Sequence, residues 1–522
     1  MMPVIRKLIL QNFKQFRRLE LDFDPRHNVL IGDNETGKSS VLLALDLALS
    51  GSRNRAENLG FETLFCKPVI EEFLDGRRSI EGLPTLIVDI FLEEGQDQGL
   101  YGAGNLEGRE TDGIRMSIEP VHDYGAQMQA VLDQPGRNFP FEFYAVRFQT
   151  FARNPYVSFN RPVRHLLLDG SRINSDYATS EYTRSVFRLN STVEMRYQLE
   201  NAYRRVKSQF RDNDLAALNQ TIEGFQFDVR SDIRSNLEAD LVMTEDGIAL
   251  EHRGKGRQCF IKTHFSLSRR RAQPGFDVLL LEEPENHLSH TLMKRLVHEL
   301  SQNEGVQLFI ATHSSHICSR LDLRKALLLG SSQRSGMLKD LSDDTASFFM
   351  KAPDNYVLEF VLSHKVILVE GDAEFILLEA FYKKQTEGRL PAEDDVHVIA
   401  IGGTSFKRYL ELANLLNIKV AAIRDNDGDY QSNCVDNYAD LVNEHAQVFA
   451  DPDNSRSTFE IGLYFDNQEI CDELFSPGRR TLSPMQYMLA NKAEVAFELL
   501  DKKEEDLVIP GYIAEAITWL RM

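Results

Sequence analysis

A chain of 522 residues, 42% hydrophobic and 26% charged, has room for about two to four globular domains at roughly 100–200 residues each. Its net charge of −20 speaks against broad nonspecific affinity for nucleic acid, leaving DNA to local basic groups such as Arg253, Lys255, Arg257, Lys262 and Arg269–Arg271. Five scattered cysteines without a CxxC pair exclude a zinc module and a disulfide framework, while no signal-like start and no apolar run near the ~18 residues of a membrane span predict a cytoplasmic protein without a membrane partner.

Short apolar runs at Ile5–Leu10, Leu19–Phe23 and Asn28–Ile31 predict strands, and Ser39–Leu49 predicts a strongly apolar helix. Between the third strand and that helix, Gly32-Asp33-Asn34-Glu35-Thr36-Gly37-Lys38-Ser39 fits G-x-x-x-x-G-K-[ST] in full, in the setting the motif requires. Successive backbone N–H groups and the helix N-terminus cradle phosphates, Lys38 neutralises the β/γ charge, and the Ser39 hydroxyl can bind Mg²⁺. Gly32, Asn34, Gly37, Lys38, Ser39 and Ser40 are the expected contacts of ATP. Further strands are expected at Thr85–Leu92 and Phe143–Phe148, and Glu93–Gly113 as a polar surface loop or edge hairpin. From about residue 164 the pattern changes. Ser191–Phe210 and Leu215–Phe225 place apolar residues at helical spacing among many charges, which reads as a helical insertion.

The α/β pattern resumes at Gly247, with strands at Phe276–Leu281, Val306–Ala311 and Lys325–Leu329. Val278–Leu281 runs into Glu282-Glu283-Pro284, the second half of a nucleotide site. Glu282 stands where a carboxylate holds the Mg²⁺ water shell, and Glu283 where the base that orients the attacking water belongs. His313, one strand further on, is placed to sense the γ-phosphate. Gly330–Ser347, rich in Gly, Ser and Asp, is the linker candidate.

A second α/β unit follows, closing with helical stretches at Pro484–Leu500 and Ile509–Leu520. Val366–Val369 runs into Glu370, Gly371 and Glu374, and Val420–Ile423 runs into Arg424-Asp425-Asn426-Asp427. Carboxylates at the ends of neighbouring parallel strands suit Mg²⁺ or Mn²⁺, which prefer oxygen ligands, and such strand ends are where open α/β sheets bind ligands. Glu370 and Glu374 are spaced to approach one point, and Asp425 and Asp427 share a side if the backbone is extended. Crowded like charges raise one another's pKa. Two divalent ions about 3.5–4 Å apart would relieve that repulsion and support in-line phosphoryl displacement.

The first half resembles an ATP-binding-cassette ATPase of the DNA-repair and SMC-like branch. The resemblance rests on the phosphate loop, on Ile9–Phe16 as first strand and turn, and on Leu281-Glu282-Glu283-Pro284-Glu285-Asn286-His287-Leu288. It implies closure of two copies around ATP, with Arg253-Gly254-Lys255-Gly256-Arg257-Gln258 as the signature loop and Gly254, Gly256 and Gln258 facing the partner's nucleotide. The usual serine is missing from that loop. Through the same resemblance Gln149, just after the Phe143–Phe148 strand, is a candidate Q-loop glutamine. The second half resembles a TOPRIM domain in its Glu370, its Asp425-x-Asp427 and the glycine-terminated strand Ile399–Gly403.

ATPase followed by TOPRIM resembles the overcoming-lysogenization-defect (OLD) family of nucleases, which includes the Gabija nuclease subunit. That resemblance implies an α/β protein. An ABC-type ATPase (1–163 and 247–360) would carry a helical dimerisation insertion (164–246), followed by a TOPRIM domain with a parallel sheet (361–522). It also implies Glu460 as a later metal ligand and Lys492 as the charge stabiliser at the scissile phosphate. By residue type alone, a glutamate on a strand and a lysine on a helix would be surface residues. Glu370, Glu374, Asp425, Asp427 and Glu460 would hold two Mg²⁺ or Mn²⁺ ions, a further ion accompanying ATP at Ser39. The expected activity is ATP-regulated DNA cleavage in antiphage defence, by a homodimer or higher homo-oligomer, with a helicase-like protein as a candidate partner. The competing reading is a nucleotide-switched DNA-binding ATPase whose TOPRIM domain is not catalytic. A primase or topoisomerase would need modules the sequence lacks.

Overall fold

Ile5–Phe13 (β1), with buried Leu8-Ile9-Leu10 at its centre, and the more exposed Phe16–Asp22 (β2) form an antiparallel hairpin, whereas all five residues of His27–Ile31 (β3) are buried. The computed structural model describes residues 3–95, 97–134, 136–170, 176–230, 236–267, 276–303, 305–330, 337–351, 356–403, 405–476 and 482–522. Arg269–Arg271 and residues 331–336 of the expected linker lie outside them. The chain divides into two compact units, Met1–Leu30 with Gly37–Thr312 and Ile31–Thr36 with His313–Met522.

In the first unit, Leu86–Leu92 (β4) pairs with β1, Thr111–Pro120 (β5) with β4, and Tyr144–Thr150 (β6) with β5, all antiparallel. β5 starts inside the segment expected as a polar surface loop or edge hairpin, and Tyr101–Gly102 pairs antiparallel with Thr111–Asp112 as a hairpin there does, whereas from Ile114 onward no element is expected. Ile114, Met116 and Ile118 alternate with Arg115, Ser117 and Glu119, and the Arg115 charge is tolerated because it lies in register opposite buried Asp89 and forms two 2.7 Å hydrogen bonds to its carboxylate. His165–Asp169 (β7), Val278–Glu282 (β8) and Gln307–Ala311 (β9) form a parallel sheet with β3, in the order β3-β9-β8-β7. Burial on both faces explains their near-continuous apolar runs.

Helix Lys38–Ser50 (α1) begins after left-handed Gly37 (φ 102°) and stops at left-handed Gly51 (φ 59°). Because β7 belongs to the sheet, the insertion's helices start only at Asp176–Asn190 (α2) and Val193–Gln209 (α3). The helix expected over Leu215–Phe225 is reduced to Ala216–Asn219, where Asn219 exchanges side-chain hydrogen bonds with the backbone of Phe227 and Gly224 turns left-handed (φ 79°). Lys255–Leu267 (α4) and His290–Ser301 (α5) flank the acidic strand β8 in sequence.

In the second unit, Lys365–Val369 (β10), Val396–Ala400 (β11), Lys419–Ile423 (β12) and Ala446–Phe449 (β13) make an all-parallel sheet, ordered β11-β10-β12-β13. Asp372–Gln385 (α6) follows β10, and Phe406–Leu416 (α7) follows β11. Phe459–Asp466 (α8), Lys492–Lys503 (α9) and Gly511–Arg521 (α10) complete the fold. Leu377, Phe381, Phe459, Leu499 and Ile517 pack in one core with Ile367 and Ile423 of the sheet. Glu460 therefore stands in the first turn of a helix and not on a strand. The expected Pro484–Leu500 helix breaks at Asn491, so that Lys492 opens a helix of its own. Part of the expected linker is helical, Asp343–Lys351. Glu411 of α7 accepts hydrogen bonds from Ser342 N and Thr345 Oγ1 and so fixes it to this unit.

Candidate functional site

β10 and β12 are hydrogen-bonded neighbours running in one direction, so Glu370 and Asp425 leave the sheet at the same edge. Gly371 is extended (φ −139°) and not in a tight turn, and a Cβ there would lie 3.3 Å from Glu374 Oε2. Glu374 is buried in the first turn of α6. Asp425 Oδ1 accepts a 2.7 Å hydrogen bond from Phe459 N, capping α8 and setting buried Glu460 one residue further on. Lys492 Nζ pairs with Glu460 Oε2 at 3.0 Å.

Burial and neighbouring charges shift three of these groups. Burial, then the charges of Glu460 and Glu370, push the Glu374 carboxyl up to about 7. Burial, then Glu374, Glu370 and Glu460, push Asp425 up to about 8. Burial pulls the Lys492 ammonium down, but Glu460, Asp425 and Glu374 more than offset it, leaving it raised. The Tyr512 hydroxyl of α10, raised by burial and then by Asp425 and Glu374, faces the same carboxylates. It arrives from the far end of the chain, and no local sequence signal points to it.

Asp427 departs from expectation. Its backbone is left-handed (φ 52°), its side chain is 57% exposed, and its carboxylate pairs with Arg424 at 2.9 Å. The two-residue spacing predicted a shared side only for extended backbone, and this segment turns. Among the described residues, no group of three or more His, Cys, Asp or Glu is gathered so that it could hold a metal ion. The donors nonetheless fit a hard divalent cation in kind. They are carboxylates only, and two of them, Glu374 and Asp425, are pushed toward protonation by burial and by neighbouring carboxylates.

At the phosphate loop, Gly32 (φ 156°) and Gly37 (φ 102°) adopt backbone that side chains disfavour. A Cβ on Gly37 would fall 2.1 Å from Gln15 Nε2, and one on Gly32 would fall 2.5 Å from Thr36 Oγ1. Lys38 is buried, whereas Asn34 and Ser39 are exposed. Ser40 Oγ donates to Gln15 Oε1 at 2.9 Å, so the β1–β2 turn closes on the start of α1. Gln15 carries no motif of its own, and reading the sequence gave it no role at the nucleotide. Glu282 ends β8. Glu283 is left-handed (φ 44°), and its carboxylate accepts from Asn286 Nδ2 at 2.6 Å. Gly170, unmarked in the sequence, donates its N–H to Glu282 O at 2.7 Å, and a Cβ there would meet Glu283 O at 2.2 Å. Thr312, just before His313, donates to Glu285 Oε1 at 2.6 Å.

The signature loop differs from expectation, because α4 already begins at Lys255 and takes Gly256, Arg257 and Gln258 into the helix. Gln258 is buried, and its Nε2 donates back to Arg253 O (2.8 Å) and Glu251 O (3.3 Å). Gly256 lets the helix approach His287, whose carbonyl would be 2.2 Å from a Cβ, while Gly254 has open space around it. Gln149 sits within β6, opposite Arg115.

Residues 361–427 match the family model "Overcoming lysogenization defect protein-like, TOPRIM domain". Residues 7–98 match an AAA domain model, and residues 151–319 match a second one whose description also mentions the AbiEii toxin of a type IV TA system. No curated protein matches the sequence. Among solved structures, the C-terminal region of the Xanthomonas campestris pv. campestris OLD protein is similar at 23% identity (TM-score 0.22, 30% of this chain and 94% of that one). The C-terminal region of the Burkholderia pseudomallei OLD protein is similar at 21% identity (TM-score 0.22, 30% and 97%). The SMC head domain from Thermotoga maritima is similar at 15% identity (TM-score 0.29, 64% and 96%). AAA ATPase domains imply nucleotide binding, and TOPRIM domains typically bind divalent metals.

Proposed function

We propose that this chain, an ATPase–TOPRIM protein of the OLD type by its domain make-up, is an ATP-regulated, divalent-metal-dependent DNA endonuclease. What supports the reading is that Glu370 and Asp425 follow neighbouring parallel strands, that Asp425 accepts a hydrogen bond from Phe459 N beside Glu460, and that the Lys492 ammonium lies 3.0 Å from Glu460. These carboxylates would hold Mg²⁺ or Mn²⁺, and Asp427 would join them only by leaving Arg424. Two such ions supply an activated water and charge neutralisation at a phosphodiester. Lys492 sits at the rim, where it can neutralise the charge that grows on the scissile phosphate. In the ATPase segments, Lys38 and Ser39 take the phosphates and their Mg²⁺, Glu282 the ion's water shell, Glu283 the attacking water and His313 the γ-phosphate.

Exposed apolar residues on α3 support a homodimer. A cytoplasmic site of action, a helicase-like partner and a defence role rest on the family resemblance. No helix among the described residues is long and apolar enough to cross a membrane.

Supercoiled plasmid incubated with the full chain and Mn²⁺ or Mg²⁺ tests the reading. Nicked or linear product is expected, and Glu370→Ala should lower its rate by about 10²-fold or more. A second reading, a nucleotide-switched DNA-binding ATPase with a non-catalytic TOPRIM domain, draws on the absence of a gathered ligand set among the described residues. Plasmid left intact under every divalent ion, with DNA binding retained, would decide for it.

A further inference from the structure

We infer that Asn426, the residue between the two aspartates, is a positioning residue that sets Asp425 against Glu460. Asn426 is 1% exposed, and its side-chain amide is hydrogen-bonded through both the nitrogen and the oxygen. Nδ2 donates to Asp451 O (2.7 Å) and Asp453 O (3.0 Å), with Arg456 O a longer third contact at 3.3 Å. Oδ1 accepts from Gly428 N at 2.8 Å, which fixes the turn that follows. The three carbonyls lie on the segment joining β13 to α8, the helix whose first turn bears Glu460. Around this clamp the backbone is zipped along its length. Arg424 N donates to Phe449 O and Asp427 N to Ser457 O, both at 3.1 Å, while the Asp425 carboxylate caps α8 through Phe459 N. Asn433 Nδ2 holds the Asn426 carbonyl from the other side at 2.9 Å.

Only a neutral side chain with an N–H₂ group serves here. Alanine would take the donor away from the part-buried bonds to the Asp451 and Asp453 carbonyls, and aspartate, though equal in size, would face a carboxylate against the same oxygens. The inference rests on the proposal that Asp425 and Glu460 bind a divalent ion. It assigns Asn426 no contact with that ion or with DNA, only the spacing of the two carboxylates.

The test is Mn²⁺ binding to the full chain, measured by isothermal titration calorimetry without DNA or ATP. Asn426→Ala is expected to weaken Mn²⁺ at least tenfold and Asn426→Asp at least as much, while ATP affinity stays unchanged. In plasmid cleavage, Asn426→Ala should raise the Mn²⁺ concentration for half-maximal rate and recover most of the rate at saturation. A residue that merely fills space would show no such split, and the isosteric aspartate would retain affinity. Wild-type Mn²⁺ affinity in both variants would overturn the inference. If neither variant folds, Asn433→Ala decides: an affinity loss of two- to fivefold is expected, and unchanged affinity overturns it. A wild-type chain that binds no Mn²⁺ would instead remove the metal reading, and this inference with it.

Discussion

Lys492 is half exposed, yet its ammonium pairs with a carboxylate that is 3% exposed, an arrangement in which the lysine compensates Glu460 and still faces incoming phosphate. Lys492→Met should therefore lower cleavage by about 10²–10³-fold, the usual loss of one charge-stabilising donor, while DNA affinity changes little; equal losses in affinity and rate would make Lys492 a DNA anchor instead. The neighbouring acids give a stability signature. Free carboxyls titrate at about 4, whereas Glu374 and Asp425 are raised to about 7 and about 8 by burial and by the neighbouring carboxylates, among them Glu460 and Glu370. Between those limits the folded chain keeps protons that the unfolded chain has released, so stability falls as pH rises from about 4 to about 8 and is level beyond. Thermal unfolding in chelator at pH 5, 6.5 and 8 should show that decline, and Mn²⁺ at pH 8 should reverse it by binding the folded state. Glu374→Gln with Asp425→Asn should flatten both effects. A Tm independent of pH and of Mn²⁺ in the unaltered chain would count against the shared acidic locality.

At the scale of elements, the strands that position both sites were legible because each is short, apolar and buried on both faces. Val278–Glu282, Lys365–Val369 and Lys419–Ile423 match their predicted runs within a residue or two. What escaped was long-range. For β5 the long-range part is the pairing of Arg115 with Asp89 on the neighbouring strand, while the alternation of Ile114, Met116 and Ile118 with Arg115, Ser117 and Glu119 is local. Glu460 was read on a strand because its helix is nucleated by Asp425, 35 residues upstream. The turn that directs Asp427 away from Asp425 depends on Asn426 and on carbonyls beyond β13, contacts with no trace in the local pattern. Gly170 belongs to the same class. Its value lies in the 2.2 Å that a Cβ would leave to Glu283 O, so Gly170→Ala must shift the end of β8 and with it the base that orients water. ATP hydrolysis should fall at least tenfold while ATP affinity stays within about twofold, since the phosphate loop is untouched; hydrolysis at the wild-type rate would show that the strand end gives way without cost to Glu283.

For the molecule as a whole, the question is what covers α3. Met195, Leu199, Ala202 and Val206 recur at i, i+4, i+7 and i+11, which keeps them within one narrow stripe of the helix, and Phe210 follows in the turn just beyond it. Met195 is 49% exposed, Leu199 37%, Val206 57% and Phe210 48%. A stripe of this length left in water carries an unrelieved hydrophobic cost, and a second copy offering the same stripe is the economical way to cover it. The net charge of −20 opposes association at long range, a repulsion that salt screens, so the dimer should tighten with ionic strength, unlike a contact made by ion pairs. Sedimentation of the full chain at micromolar concentration should show a dimer. Leu199→Glu with Val206→Glu should weaken it at least tenfold by burying charges in its centre, with no change in the Tm of the acidic domain because these side chains are exposed and are not part of its core. If ATP hydrolysis needs two copies, the same variant should lose it while still binding nucleotide. A wild-type chain that remains monomeric across that range at high salt would refute the stripe as a dimer contact.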